Sequence, residues 1–486
     1  MDSLTWTGSA GIILTPLFKI AALLFVAALV IGIVIGILRL LAALVSSLTL
    51  ADGPQTAVNL TSPAGLMRAL PSATRWAMLA ALAVAIAIPA LGALMPGMPG
   101  KGIFGAAAVR FWPVWLALLI SFSLSIRFRR RLGLYGKLMD SPVGMFGLAI
   151  VLFWVFTAIF ADVILTQDPL VQLSGLKNAS PGSALPNAAE GAYPYYLFGG
   201  DHLARDVFSR VVMGARRVLQ IAPAATLFAF MVGITLGLPA GYFGGKLDTF
   251  LSFLANLVLA FPVILLFYLL VTPEIVETGI PTYFAAVLFI FPIVFLVVLL
   301  NSRYRTNPPR RNLYVGITLV LGLWAYSGLA FNMDPLKYIG FETFSMDPNM
   351  LNVFVSVVFV NSPGVFRIVR GLVMDIKARD YVAAAQTRGE SAWYVMLWEI
   401  LPNARGPLIV DFCLRIGYTT ILLGTLGFFG LGVSPESPDW GSTIDDGRKL
   451  LSIYLHPALV PAMALMSLVL GLNLLADGLR EESMRD

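Results

Sequence analysis

Cysteine, histidine and charge are all scarce in this chain, and each shortage excludes something. The single cysteine, Cys413, rules out an internal disulfide and any cysteine-based metal site. It lies in an apolar run and reads as a small core residue. The two histidines, His202 and His456, are far apart in sequence, and neither has a partner at metal-ligand spacing. No metal site is expected. Charged residues make up only 12% of the chain, against about 25% in soluble domains.

Chemical signatures are missing as well. Gly100-Lys101-Gly102 and Gly245-Lys246-Leu247 are the nearest approaches to a phosphate-binding loop. Both lack the hydroxyl residue after the lysine and the upstream glycine that such a loop needs. There is no HExxH, no GxSxG and no convergent set of carboxylates. No catalytic residue is assigned, no cofactor is expected on this chain, and an enzymatic role has nothing to rest on. A cleavable signal peptide is not expected either, because the first apolar run is too long and lacks basic residues before it.

What the chain does have is long hydrophobic runs. Hydrophobic residues are 58% of the total, and the mean hydropathy is +0.83. Candidate spans fall at 11–38, 74–95, 106–126, 143–165, 218–240, 247–271, 282–300, 312–331, 349–371, 408–432 and 456–478. Each is long enough to cross about 30 Å of hydrocarbon. In lipid an isolated strand leaves its backbone unsatisfied, so all must be helices. The expected fold is all-α: a polytopic helical membrane protein of about eleven transmembrane helices.

The net charge of +6 reads as topology, not as affinity for nucleic acid, because excess Lys and Arg mark cytoplasmic loops. Arg127, Arg129, Arg130, Arg131 and Lys137 form one basic run. The loop 301–312 and the interval 372–407 are also basic, and Arg39, Arg68 and Arg75 cluster on the same side. Eleven spans place all of these in the cytoplasm, with the N-terminus outside and the C-terminus inside. Arg205, Arg210, Arg216 and Arg217 fall on the other side, so that segment is expected to be an amphipathic helix at the interface. The interval 166–204, rich in Pro, Gly, Asn and Ser, reads as an extramembrane loop.

Residues 380–402, DYVAAAQTRGESAWYVMLWEILP, form a polar interval between two apolar runs. Ala383, Ala384 and Ala385 favour a helix, and Asp380 suits its N-terminus. Gly389 breaks it, a second short helix can begin near Glu390, and Leu401-Pro402 ends that one. The spacing resembles the EAA loop through which permeases of ABC importers dock on their ATPase subunits. An interfacial helix pair with a breaking glycine is the plainer alternative.

From about residue 138 the chain is similar to the C-type permease of the dipeptide, oligopeptide and nickel importers. LFGGDHLARDVFSRVVMGAR (197–216) resembles a family signature running Gly-Thr-Asp-Glu-Leu-Gly-Arg-Asp-Val-Phe-Ser-Arg. Asp201, Leu203, Arg205, Asp206, Phe208, Ser209 and Arg210 match it, while Gly200, His202 and Ala204 depart. GLPAGYFGGKLD (237–248), the loop 380–402, FFGLGVSPESPDWGSTIDDGRKLL (428–451) and ADGLRE (476–481) follow in the family's order. In the EAA loop the family's Glu is Ala383, and its His before Ile-Leu-Pro is Glu399. A family Glu in the fifth span is Leu423. The resemblance implies a permease core over 138–486 with six family helices. To this are added an extension over 1–137, with about three spans, and an insertion at about 272–348, with two.

It also implies partners: a homologous second permease subunit, two ATP-binding cassette subunits carrying ATP-Mg, an extracytoplasmic substrate-binding protein, and membrane lipid around the spans. The expected location is the bacterial cytoplasmic membrane. The implied substrate is a peptide, with nickel or glutathione as alternatives. From other classes, a polytopic membrane enzyme would need clustered polar groups, and a secondary transporter would show inverted repeats. Neither pattern is found. Asp411 and Arg415, four apart near the start of the span 408–432, are a charge pair facing either the translocation path or each other. The segment 433–451, with Glu436, Asp439, Trp440 and Gly441, reads as an outside helix near the mouth that receives substrate from the binding protein.

Overall fold

The computed structural model describes residues 3–11, scattered helical positions between 15 and 34, and residues 72–186, 193–334, 346–431 and 437–483. The expected span 11–38 therefore lies largely outside the described residues, as do Arg39, Arg68 and Glu436.

Helices account for almost all of it. They are α1 (Ser72–Leu94), α2 (Met98–Arg110), α3 (Trp112–Phe128), α4 (Gly133–Leu138), α5 (Pro142–Ile159), α6 (Ala161–Ile164) and α7 (Val207–Phe243). Next come α8 (Gly245–Leu259), α9 (Val263–Val271), α10 (Pro273–Glu277), α11 (Ile280–Leu288), α12 (Ile290–Arg303) and α13 (Pro308–Phe331). The chain ends with α14 (Pro348–Ile376), α15 (Asp380–Thr387), α16 (Ala392–Tyr394), α17 (Arg405–Phe428), α18 (Trp440–Arg448) and α19 (His456–Ser483). Among the described residues the strands are two short ones, Ser183–Ala184 and Tyr195–Tyr196, paired antiparallel with Ser183 opposite Tyr196.

The chain is an all-α polytopic membrane protein. Among the described residues seven helices are long and apolar enough to cross a bilayer, with α11 and α12 counting as one, and two bent pairs bring the number to nine. The bends have local causes. The expected span 106–126 turns by 52° between α2 and α3, where Pro113 offers no N–H to the preceding turn. The expected span 247–271 turns by 82° between α8 and α9. Pro262 sits at that break in an extended conformation, and a residue before proline avoids the helical region. The expected span 74–95 falls in α1, 23 residues long.

Two compact units emerge, and they do not follow chain order. The first comprises Met1–Ile120, Phe160–Val212 and Ser452–Pro457. The second comprises Ser121–Ile159, Met213–Leu451 and Ala458–Asp486.

In the first unit a polar knot organises the long loop before α7. The Asp201 carboxylate accepts from Arg205 Nε at 2.6 Å and from the backbone N–H groups of Leu203 and Arg205. Arg210 Nε lies 3.9 Å from the same carboxylate. Asp206 accepts from the hydroxyls of Thr166 (2.5 Å) and Ser209 (2.6 Å) and from the N–H groups of Phe208 and Ser209. Burial pushes the Asp206 carboxyl above its ordinary value, opposed by those donors. Arg205 and Arg210 are buried, so the expected amphipathic helix at the interface is not what forms. α7 is continuous from Val207, at 37 residues well beyond the length of one crossing. Arg205 and Arg210, two of the four arginines that broke the charge pattern, are held inside the unit by a carboxylate. Ala204, where the family signature has glycine, adopts φ 62°, a conformation that costs a side-chain-bearing residue about 1–2 kcal/mol.

In the second unit α14 is the axis. Of its most apolar stretch 72% is buried. One apolar cluster joins Ile221, Ala225 and Val232 of α7 to Val353, Phe354, Val357 and Val358 of α14. A second joins Val365, Val369 and Val373 of α14 to the loop 380–402. Gly233, Gly237 and Gly241 of α7 recur every fourth residue and lie against Val365, Phe366, Val369, Arg370 and Val373. A Cβ at Gly237 would come within 2.9 Å of the Val369 side chain. Small residues at this spacing let two membrane helices approach closely.

Candidate functional site

The segment after α14 is anchored before it turns. Lys377 Nζ donates to the Gly241 carbonyl at 2.9 Å, which ties the end of α14 to the end of α7. α15 then buries Val382 and Ala385 completely and leaves Asp380, Ala383 and Ala384 exposed. Gln386 Nε2 donates to the Tyr242 hydroxyl at 3.0 Å.

Gly389 reverses the chain at φ 77°, and a Cβ built there would meet nothing within 4 Å. Only the backbone conformation demands glycine at this position. Ser391 caps the next helix, its hydroxyl accepting from the Tyr394 N–H at 3.4 Å. After α16 the helix widens to a π-helix over Val395–Ile400, in which Leu401 N–H reaches back to the Met396 carbonyl at 3.0 Å. Such π turns are frequent at functional sites. Val395, Met396 and Ile400 are fully buried; Leu401 is partly buried and Pro402 exposed.

An ion pair spans the two short helices. Arg388 Nη2 lies 3.1 Å from Glu399 Oε1, so the glutamate that replaces the family's histidine has a partner within the loop. Tyr381 and Trp393 are each 41% exposed. Together with Ala383 and Ala384 they give the loop an outward face of small and aromatic side chains, flanked by the exposed charges of Asp380 and Arg388.

The pair in α17 is formed. Arg415 Nε lies 2.6 Å from Asp411 Oδ2, with both side chains mostly buried. Arg415 also reaches the Asn361 carbonyl at 3.5 Å, and Gly364 of α14 leaves the room its guanidinium occupies. A polar line continues along α17: Asn361 Nδ2 is 3.4 Å from Thr419 Oγ1, which is 3.4 Å from Thr226 Oγ1.

In the segment expected to face a binding protein, Asp439 caps α18, accepting from Ser442 N–H at 2.8 Å. Trp440 and Gly441 are buried inside the second unit. Trp440 packs edge-on against Trp154, with ring centroids 5.1 Å apart, and against Gly214. With Arg217, Leu423 and Asp439 it lines a cavity of about 30 Å³, the room of roughly one water molecule. The outward side chains here are Arg448 and Lys449, both paired to Asp445. A tryptophan followed by glycine signals tight packing more than a surface, and that signal was in the sequence.

The family described as "Binding-protein-dependent transport system inner membrane component" matches residues 233–481, just over half of the chain. The dipeptide transport system permease protein DppC of Alkalihalophilus pseudofirmus is 27% identical over 347 residues, covering 71% of this chain and 87% of that protein. The glutathione transport system permease protein GsiD of Pectobacterium atrosepticum is 28% identical over 292 residues, covering 60% and 73%. The probable D,D-dipeptide transport system permease protein DdpC of Escherichia coli is 25% identical over 346 residues, covering 71% and 88%.

Proposed function

The chain belongs to the family of inner membrane components of binding-protein-dependent transport systems, and from that premise we propose that it is one of two permease subunits of an importer for short peptides. The family is one of multi-pass transport proteins of the inner membrane, not of enzymes. A substrate-binding protein and ATPases are its general partners. In the proposed assembly, substrate is released from the binding protein outside. It passes between this chain and a homologous permease, while two ATPase subunits bind ATP-Mg in the cytoplasm. The chain lacks a phosphate-binding loop of its own. The N-terminus lies outside and the C-terminus inside.

The observation that carries the coupling role is the loop 380–402. Two short helices meet at Gly389, are joined by the Arg388–Glu399 pair, and are rooted in the cluster that holds α14. Its outward face, with Tyr381, Ala383, Ala384 and Trp393, suits insertion into a protein cleft. A displacement of the docked face reaches α14 through Val382, Ala385 and Val395, and this is how a bistable helix packing can be biased from the cytoplasm. Asp380, Leu401 and Pro402 bound the loop, and Asp411–Arg415 serves as a structural pair next to it. A peptide substrate is favoured because the dipeptide, glutathione and D,D-dipeptide permeases above all carry peptides in their names.

The test is Gly389→Val in the reconstituted complex. A β-branched residue at φ 77° is strained by about 1–2 kcal/mol. The spans should insert normally, while ATPase co-purification falls or hydrolysis uncouples from uptake. Intact assembly, hydrolysis and uptake would remove the loop from the coupling role. Mass spectrometry of ligand released from the purified binding protein decides between peptide and nickel.

A further inference from the structure

The inserted span α12 ends on the coupling loop. Ser302 Oγ accepts the indole N–H of Trp398 at 3.1 Å, and Ser302 is buried. The Arg303 guanidinium stands 4.8 Å from the centroid of the Trp398 ring, within the reach of a cation–π contact. Phe295, Val298 and Leu299 lie on the same helical face as Ser302, and they pack on the cluster containing Val382, Ala385, Val395, Met396 and Ile400. One tryptophan thus receives a hydrogen-bond acceptor at its edge and a cation at its face, both from consecutive residues of the insertion. Trp398 lies in the π-helical stretch, where the helix's own hydrogen bonds are least regular, so this stretch gains most from an outside support.

We propose that Ser302 and Arg303 are positioning residues for the coupling loop, and that α12 and the helix 392–400 move as one body during transport. The proposal rests on the reading of 380–402 as that loop. A pair of helices serving only as lipid-facing filler would need apolar shape at this end, not a serine and an arginine directed at one indole.

The test uses the full chain in its complex with the second permease, the ATPases and the binding protein. In Ser302→Ala/Arg303→Gln, assembly and the hydrolysis rate should stay within about twofold, while substrate imported per ATP falls about threefold to tenfold. Ser302→Thr/Arg303→Lys keeps the hydroxyl and the cation and should restore the ratio. An unchanged ratio in the first variant, or an equal loss in the second, overturns the proposal.

A second arm places cysteines at 302 and 398 in a Cys413→Ser background and compares uptake by this variant before and after joining them with a short bifunctional maleimide. Uptake that survives the cross-link supports movement as one body; uptake abolished by it overturns that claim, and failure to cross-link overturns the contact. Should the double variant not accumulate, this arm decides alone. Failure of the coupling reading is seen separately, as intact assembly, hydrolysis and uptake in Gly389→Val.

Discussion

α14 and the stretch Ile280–Arg303, which holds α11 and α12, are built from opposite materials for the same solvent. The stretch Ile280–Arg303 is the most apolar of the seven single spans, yet only 22% of it is buried; for α13 the figure is 11%. α14 is among the least apolar, carries Asn352, Ser356, Asn361 and Ser362 inside its buried face, and is 72% buried. In water the apolar helix would be the one inside. In lipid there is no hydrophobic gain in burying leucine, and helices associate through close packing and polar contacts. The polar, glycine-contacted helix therefore takes the centre, and the more apolar stretch Ile280–Arg303 takes the rim; α13, close to α14 in hydropathy, lies at the rim as well.

Three measurements would break or sharpen that contrast. The largest effect is expected where charge meets burial. Asp411→Ala leaves Arg415 without its partner in a mostly buried site, and should cost up to about 3–5 kcal/mol in stability. Asp411→Ala/Arg415→Met should recover most of that, because the lone charge is the expensive state. Membrane abundance and thermal stability in detergent report both; a double variant no better than the single would mean that the pair is not screened from water.

The same substitution can then be placed in both regions. Gly237→Leu drives a side chain into Val369 of α14 and should cost about 1–3 kcal/mol or more. Gly316→Leu on α13, where a Cβ meets nothing within 4 Å, should change stability by no more than about 0.5 kcal/mol. Equal losses in unfolding temperature would erase the distinction between axis and rim. The smallest effect is expected for Val320→Ala, whose side chain on α13 is 69% exposed. It should stay within about 0.5 kcal/mol, while Val357→Ala on α14, fully buried, should exceed it several-fold. A matched pair of thermal melts decides.

Much of the candidate loop could be read before any coordinates. Three alanines, a glycine and a Leu-Pro terminus at fixed spacing announce two short helices, because glycine and proline act locally. Pro113 and Pro262 likewise announced the bends, although 106–126 and 247–271 were read as straight. The Arg205–Arg210 segment was misread for a different reason. Counting arginines along the chain assigns each one to water, whereas Asp201 holds two of them inside the fold. Trp398 was in plain view, yet its partner lies 96 residues away in sequence. No local pattern pairs them.

By itself the sequence determined that this chain lives in a bilayer and that its spans are helices. Those follow from the hydrocarbon thickness and from the need of each backbone to satisfy its own hydrogen bonds. Only the tertiary structure decided which helix is central, which charges are paired, and that α12 touches the loop 380–402. Hydropathy separates membrane from water, but it cannot separate lipid from protein, since both are apolar neighbours. That choice is made by packing, through the glycines of α7 on α14, the Asp411–Arg415 pair and the indole of Trp398.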